Sequence, residues 1–151
     1  YLKELIIPNI EQGAAKTGRS AKDCALSCAI FVVTGNDADE TAQNKLAVKS
    51  QIAFYASTPS YSTVLELHGM GDLHVKLNEL SRQGRWYEMG DLISDDLLNE
   101  MAVIAPMDEL AEAVKARYDG LLDRVGYYMP FVPAEADKAL MWKTAAKTFA
   151  T

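Results

Sequence analysis

His68 and His74 are the only histidines in the chain, and Cys24 and Cys28 the only cysteines. A zinc centre takes four such ligands, so it would need more donors brought in by the fold. The Cys-x-x-x-Cys spacing differs from the two-residue spacing of redox and zinc pairs, and reads as two buried free thiols. Gly13-Ala-Ala-Lys-Thr-Gly18-Arg19-Ser20 approximates a phosphate-binding loop, with Arg19 where Lys is required. Such a loop joins a strand to a helix. This one follows a helical pattern and reads as a helix C-terminus with a basic cap. The acidic residues Asp37, Asp39, Glu40, Asp95, Asp96, Asp108 and Glu109 fall at helix starts, where the helix dipole favours them. Neither a carboxylate dyad nor a Ser-His-Asp set stands out.

The least ordinary feature is aromatic. Phe54, Tyr55, Tyr61, Trp86 and Tyr87 crowd one stretch of chain, with His68 among them. Aromatic side chains are usually core, because each buries a large area. Tyr and Trp also suit a ligand pocket, and His68 either caps carbonyls beside Gly69 and Gly71 or faces such a pocket.

The elements that must place these residues follow from periodicity. Leu2, Leu5, Ile6, Ile10 and Ala14 share a helical face, interrupted at Pro8 and stopped at Gly18. Ala25–Thr34 is β-branched and nearly continuously apolar, which predicts a strand buried on both faces, as in a parallel sheet. Asp37 opens a long helix that Thr58-Pro59 ends. Helices follow at Ser60–His68, from an Asp72 cap to Gly84, and from Ser94. Ala102–Ala105 reads as a brief extended piece. A helix from Pro106 to Gly120, a second strand at Leu121–Met129 and a closing helix at Ala134–Phe149 complete the order. Alternating strands and helices imply a parallel sheet.

Charge and composition narrow the class. The 151 residues carry 21 acidic and 15 basic side chains, a net charge of −6, without the Lys/Arg cluster a nucleic-acid binder needs. No apolar run reaches the ~20 residues that span a bilayer. Two cysteines predict a reducing, cytoplasmic setting. The surface scaling law gives roughly 7,600 Å² of accessible surface for a folded chain of this mass. The first residue is Tyr1, inside a helical pattern, so the chain is expected to be one unit, 1–151, of a longer protein.

Several stretches taken in order resemble one family. They are Ile7–Ala14 with Gly18-Arg19, Phe31–Asp37, Gln51–Tyr61, Leu67–Leu73, Arg82–Trp86 with Glu88-Met89, Arg117-Tyr118, and Asp123–Phe131. Together they resemble the C-terminal part of a luciferase-like oxidoreductase of the bacterial luciferase superfamily, in its coenzyme F-420-dependent subgroup.

The resemblance implies a helix-rich α/β fold: the C-terminal portion of a TIM-type (β/α)8 barrel. The chain would hold its last two strand-helix units and a helical insertion, with Ala102–Ala105 as a connector. A complete barrel takes about 250 residues and places its active site at the C-terminal ends of the strands. The resemblance therefore makes Thr34, Asn36, Tyr128 and Phe131 pocket candidates, and Tyr55, Tyr61, His68 and Trp86 lid candidates. It assigns no catalytic or cofactor-binding residue and no metal. It implies hydride transfer between the deazaflavin F-420 and an unknown small organic substrate. The full-length parent would bind the cofactor, with FMN as the alternative, and this chain alone would be cofactor-free and inactive. An FMN-dependent monooxygenase and a non-enzymatic protein-interaction module are the other readings. The expected partners are a second copy or the rest of the barrel, with neither nucleic acid nor membrane.

Overall fold

The computed structural model describes residues 1–150. The chain begins with one wide helical turn, Leu2–Ile6, that runs directly into α1, Ile7–Lys16, with Pro8 in its first turn. At the end of α1 the Gly18 and Arg19 amides return to the carbonyls of Ala15 and Ala14. Gly18 adopts φ 71°, a conformation that costs glycine little. The loop-like stretch is thus a helix end whose amides are already used, not a phosphate cradle.

Strand β1, Ser27–Val33, is the centre of the sheet. It leads through Gly35 and Asn36 into α2, Ala38–Ala56, capped by the Asp37 carboxylate on the Glu40 amide at 2.8 Å. Glu40 accepts from the Asn36 amide rather than closing back on Asp37. After α2 come a 3-10 turn at Pro59–Tyr61 and the short helix α3, Ser62–Leu67. Then follow α4, Gly71–Arg82, α5, Trp86–Met89, and α6, Asp95–Met101, capped by Ser94 on the Leu97 amide. Asp72 lies inside the first turn of α4 instead of capping it.

Ala102–Ala105, read from its residues as a brief extended piece, is extended, but its expected role as a connector is corrected. Residues Ala102–Ile104 form β2, which pairs in parallel with β1 through Phe31↔Ala102 to Val33↔Ile104. A tripeptide carries too little pattern to reveal that it joins the sheet. Arg117 anchors the strand by donating to the carbonyls of Asn99, Glu100 and Ala102. Helix α7, Leu110–Tyr118, leads to β3, Arg124–Tyr128, and α8, Glu135–Phe149, closes the described chain. As expected, the two long strand segments pair directly and in parallel, from Ser27↔Arg124 to Phe31↔Tyr128.

The strand order is β2-β1-β3, so β1 has a neighbour on each edge. Its side chains alternate between two cores. Val33 packs with Val48, Ile52, Leu65, Leu77, Met89, Leu97 and Leu98 from α2 to α6, with Phe31 against the same cluster. Ile30 and Val32 pack with Leu110 and Val114 of α7 and Met141 of α8. Helices therefore cover both faces. This helix-rich parallel α/β arrangement is compatible with part of a barrel wall, and its three strands do not themselves close one. Accessible surface is 9387 Å², about a quarter above the scaling-law value. The apolar stripe of the opening turn and α1 contributes to the excess, since Leu5, Ile6 and Ile10 are at most half-buried. No described helix is long and apolar enough to cross a membrane.

Candidate functional site

Phe31, near the end of β1, and Tyr128, the last residue of β3, are register partners and share a sheet face. Their rings meet edge-on, with centroids 5.1 Å apart. Tyr55, in the last turn of α2, approaches from above, 6.3 Å from Phe31 and 6.5 Å from Tyr128. Tyr61, in the turn after Pro59, packs on Tyr55 at 5.6 Å. These four rings wall an apolar concavity of about 340 Å³, completed by Ala29, Ile52, Val64, Leu65 and Met101. The volume lies at the lower end of the range for small-molecule sites.

The neighbouring Tyr128 hydroxyl is the main cause that raises the Tyr55 phenol above its ordinary value; repulsion between the two phenols and slight desolvation add to it. Tyr55 therefore keeps its proton at neutral pH. Two polar ties hold the wall. His74 Nδ1 lies 2.7 Å from the Ala56 carbonyl, and Asn78 donates to the Ser57 carbonyl at 2.8 Å. Both fix the C-terminus of α2, where the amide ladder leaves carbonyls free.

The remaining sequence candidates lie elsewhere. Thr34 is buried directly after β1, where its carbonyl accepts from Asn44 at 2.8 Å and its Oγ1 has no partner. Asn36 bridges two acids in the first turns of α2 and α8, donating to Glu40 Oε2 and Asp137 Oδ2, each at 3.0 Å. Phe131 is half-buried against the α2–α6 core. Trp86 is half-exposed and touches Phe54 at 5.8 Å. His68 ends α3, and its ring makes no hydrogen bond among the described residues. Thus Tyr55, Tyr61 and Tyr128 come together, while Thr34, Asn36, His68, Trp86 and Phe131 do not line the concavity. The pocket lies on the sheet face beside the strand ends. Phe31 was missed as a wall residue because its strand reads as uniformly apolar, which hides the face each side chain takes.

Cys24 and Cys28 are free and half-buried, more accessible than expected. Among the described residues, no group of three His, Cys, Asp or Glu gathers as metal ligands.

Residues 1–124 match the family model described as luciferase-like monooxygenase. The chain belongs to that family. Uncharacterized proteins of Mycobacterium bovis and Mycobacterium tuberculosis are 46% identical to it over 125 residues, 83% of this chain. The chain spans 37% of the length of these relatives. In this luciferase-like chain the family match ends at the first residue of β3, so Tyr128, Phe131 and α8 lie beyond it.

Proposed function

We propose that the chain is the C-terminal portion of a luciferase-like oxidoreductase that moves a hydride between coenzyme F-420 and a small organic substrate. The observation that carries this reading is the Phe31–Tyr55–Tyr61–Tyr128 pocket in a chain of this family. The ordered stretches from Ile7 to Phe131 support F-420 over FMN. The pocket's lining supports this reading for one part of that cofactor only. Its flat aromatic walls suit a planar ring system. It has no cationic side chain for the anionic tail, which other segments of a longer protein would hold.

When bound, the deazaflavin supplies the hydride chemistry. This chain's residues would do three things. Phe31 and Tyr128 would supply aromatic surface against which a ring is oriented. Ile52, Val64, Leu65 and Met101 exclude water from its surface. The protonated Tyr55 phenol offers a hydrogen bond to an acceptor atom of the ring or substrate. None of them serves as a base.

The test is a side-by-side titration of this chain and the longer protein with F-420 and FMN. The longer protein is expected to bind F-420, and this chain alone to bind it poorly. Tight stoichiometric binding of F-420 by the chain alone would overturn the proposal that the tail is held elsewhere. Preference of the longer protein for FMN would replace the cofactor with FMN and favour a monooxygenase.

A further inference from the structure

The Phe31–Tyr128 pocket has a chemical character narrower than its shape. Its lining holds no Asp, Glu, Lys, Arg or His. The phenols of Tyr55, Tyr61 and Tyr128 carry its only side-chain oxygen or nitrogen atoms, since every other wall residue is apolar. A charged ligand would exchange its water shell for hydrocarbon with no counter-ion, the costliest form of burial.

The pocket hydroxyls are open to a ligand. Among the described residues, the buried side-chain oxygens without a partner are those of Thr34 and Tyr127, both outside this pocket. Tyr55 and Tyr128 are only half-buried, and no carboxylate, base or backbone carbonyl among the described residues holds either phenol, so both oxygens keep accessible surface. They are close neighbours, as the effect of the Tyr128 hydroxyl on the Tyr55 phenol shows. Tyr61 is the most exposed of the four rings, at 45%, so Tyr55 and Tyr128 are the pair a bound ring would cover. Two neighbouring hydroxyl donors match an acceptor with two lone pairs, such as a carbonyl oxygen.

We propose that this pocket selects an uncharged, flat carbonyl compound, whose oxygen accepts from the Tyr55 and Tyr128 hydroxyls while its ring lies against the apolar wall. The proposal rests on the reading of this pocket as the ligand site. A cofactor ring and a carbonyl substrate share that chemistry. For either, Tyr55 and Tyr128 set specificity by hydrogen bonding, and the missing counter-ion excludes anions.

Equilibrium dialysis of this chain at pH 7, without F-420, against three probes of similar shape tests it. 2-Acetylnaphthalene carries the carbonyl, 2-ethylnaphthalene lacks it, and 2-naphthoate replaces it with a charge. The ketone should bind saturably. The hydrocarbon should bind about tenfold more weakly, the worth of one hydrogen bond. The carboxylate should bind about a hundredfold more weakly than the ketone. In Tyr55→Phe/Tyr128→Phe, which keeps both rings, the ketone should lose its advantage over the hydrocarbon. An advantage that survives there, a carboxylate as tight as the ketone, or no saturable binding of the ketone would each overturn the proposal. The ranking of probes on the unaltered chain needs no variant to fold. These arms contain no F-420, so their failure is separate from failure of the cofactor reading, which the titration of the longer protein judges. In that longer protein, displacement of the ketone by F-420 would assign the pocket to the cofactor ring, and joint binding would assign it to the substrate.

Discussion

Phe31 and Tyr128 stand directly opposite each other across the β1–β3 pair, one at the point where β1 passes from its β3 neighbour to its β2 neighbour. Phe31 is the one β1 residue that has a register partner in both flanking strands, Ala102 and Tyr128. The pocket floor is therefore set by strand register, and a slip of one residue would turn Phe31 to the other face.

Tyr128→Phe keeps this ring contact and removes only the hydroxyl. Because that hydroxyl is the main cause of the raised Tyr55 phenol, the variant should return Tyr55 toward the ordinary tyrosine range. An ultraviolet pH titration of phenolate absorbance should show one tyrosine ionising at lower pH than in the unaltered protein. The melting temperature should change little.

Arg117 is predicted to be a fixed support for β2. Its guanidinium spans three carbonyls at the α6–β2 junction, a forked geometry that an ammonium cannot reproduce. Arg117→Lys should cost about 1–3 kcal/mol of unfolding free energy in urea titrations. Asp119→Asn, whose carboxylate is exposed and 3.6 Å from Lys115, should cost less than about 1 kcal/mol.

Two glycines separate backbone crowding from side-chain crowding. A Cβ at Gly35 would lie 2.6 Å from the Thr41 amide nitrogen, which α2 cannot move. At Gly90 it would meet the Ser50 hydroxyl at 2.7 Å, and that oxygen can rotate. Thermal unfolding should show Gly35→Ala destabilised by about 1–3 kcal/mol, with Gly90→Ala affected less.

Alkaline pH should loosen the α7–α8 face. Burial raises the phenols of Tyr118 and Tyr127 above the ordinary value of about 10. The folded state thus holds these protons more tightly than the unfolded chain. The stability linked to them is complete below about pH 10 and falls as pH rises through the raised folded values. Urea midpoints measured from pH 8 upward should begin to drop above about pH 10, and Tyr127→Phe should reduce the drop.

The sequence made the long elements legible and left their relative placement hidden. The apolar run at Ala25–Thr34 and the Asp37 cap announced β1 and α2 through local physics alone. The parallel pairing of β1 with β3 followed from strand-helix alternation. The third strand showed only as a brief extended piece, because Ala102–Ile104 owes its place in the sheet to Arg117 and the β1 edge. Crowding of aromatics pointed to Tyr55 and Tyr61 as neighbours. It also pointed to Trp86 and His68, which lie outside the concavity, since closeness along the chain does not determine which side of a helix faces inward. Arg117 and Asp123 belong to the stretches that carry the family resemblance, yet their bonds go to the backbone at strand entrances. Their role in this chain is architectural, which spacing alone could not separate from chemistry.

The pairing of Leu26 with Asp123 joins residues 97 positions apart. Until Asp123 and β3 exist, β1 has no partner along its first half, Ser27–Ile30, because β2 covers only Phe31–Val33. During synthesis the most apolar strand of the chain must therefore wait, half unpaired, while all of α2 to α7 is made. Closing so long a loop is entropically slow, and an open apolar strand is the usual seed of aggregation. Refolding yield should thus be limited by the last fifth of the chain, and a ribosome stalled before Asp123 should present β1 to chaperones.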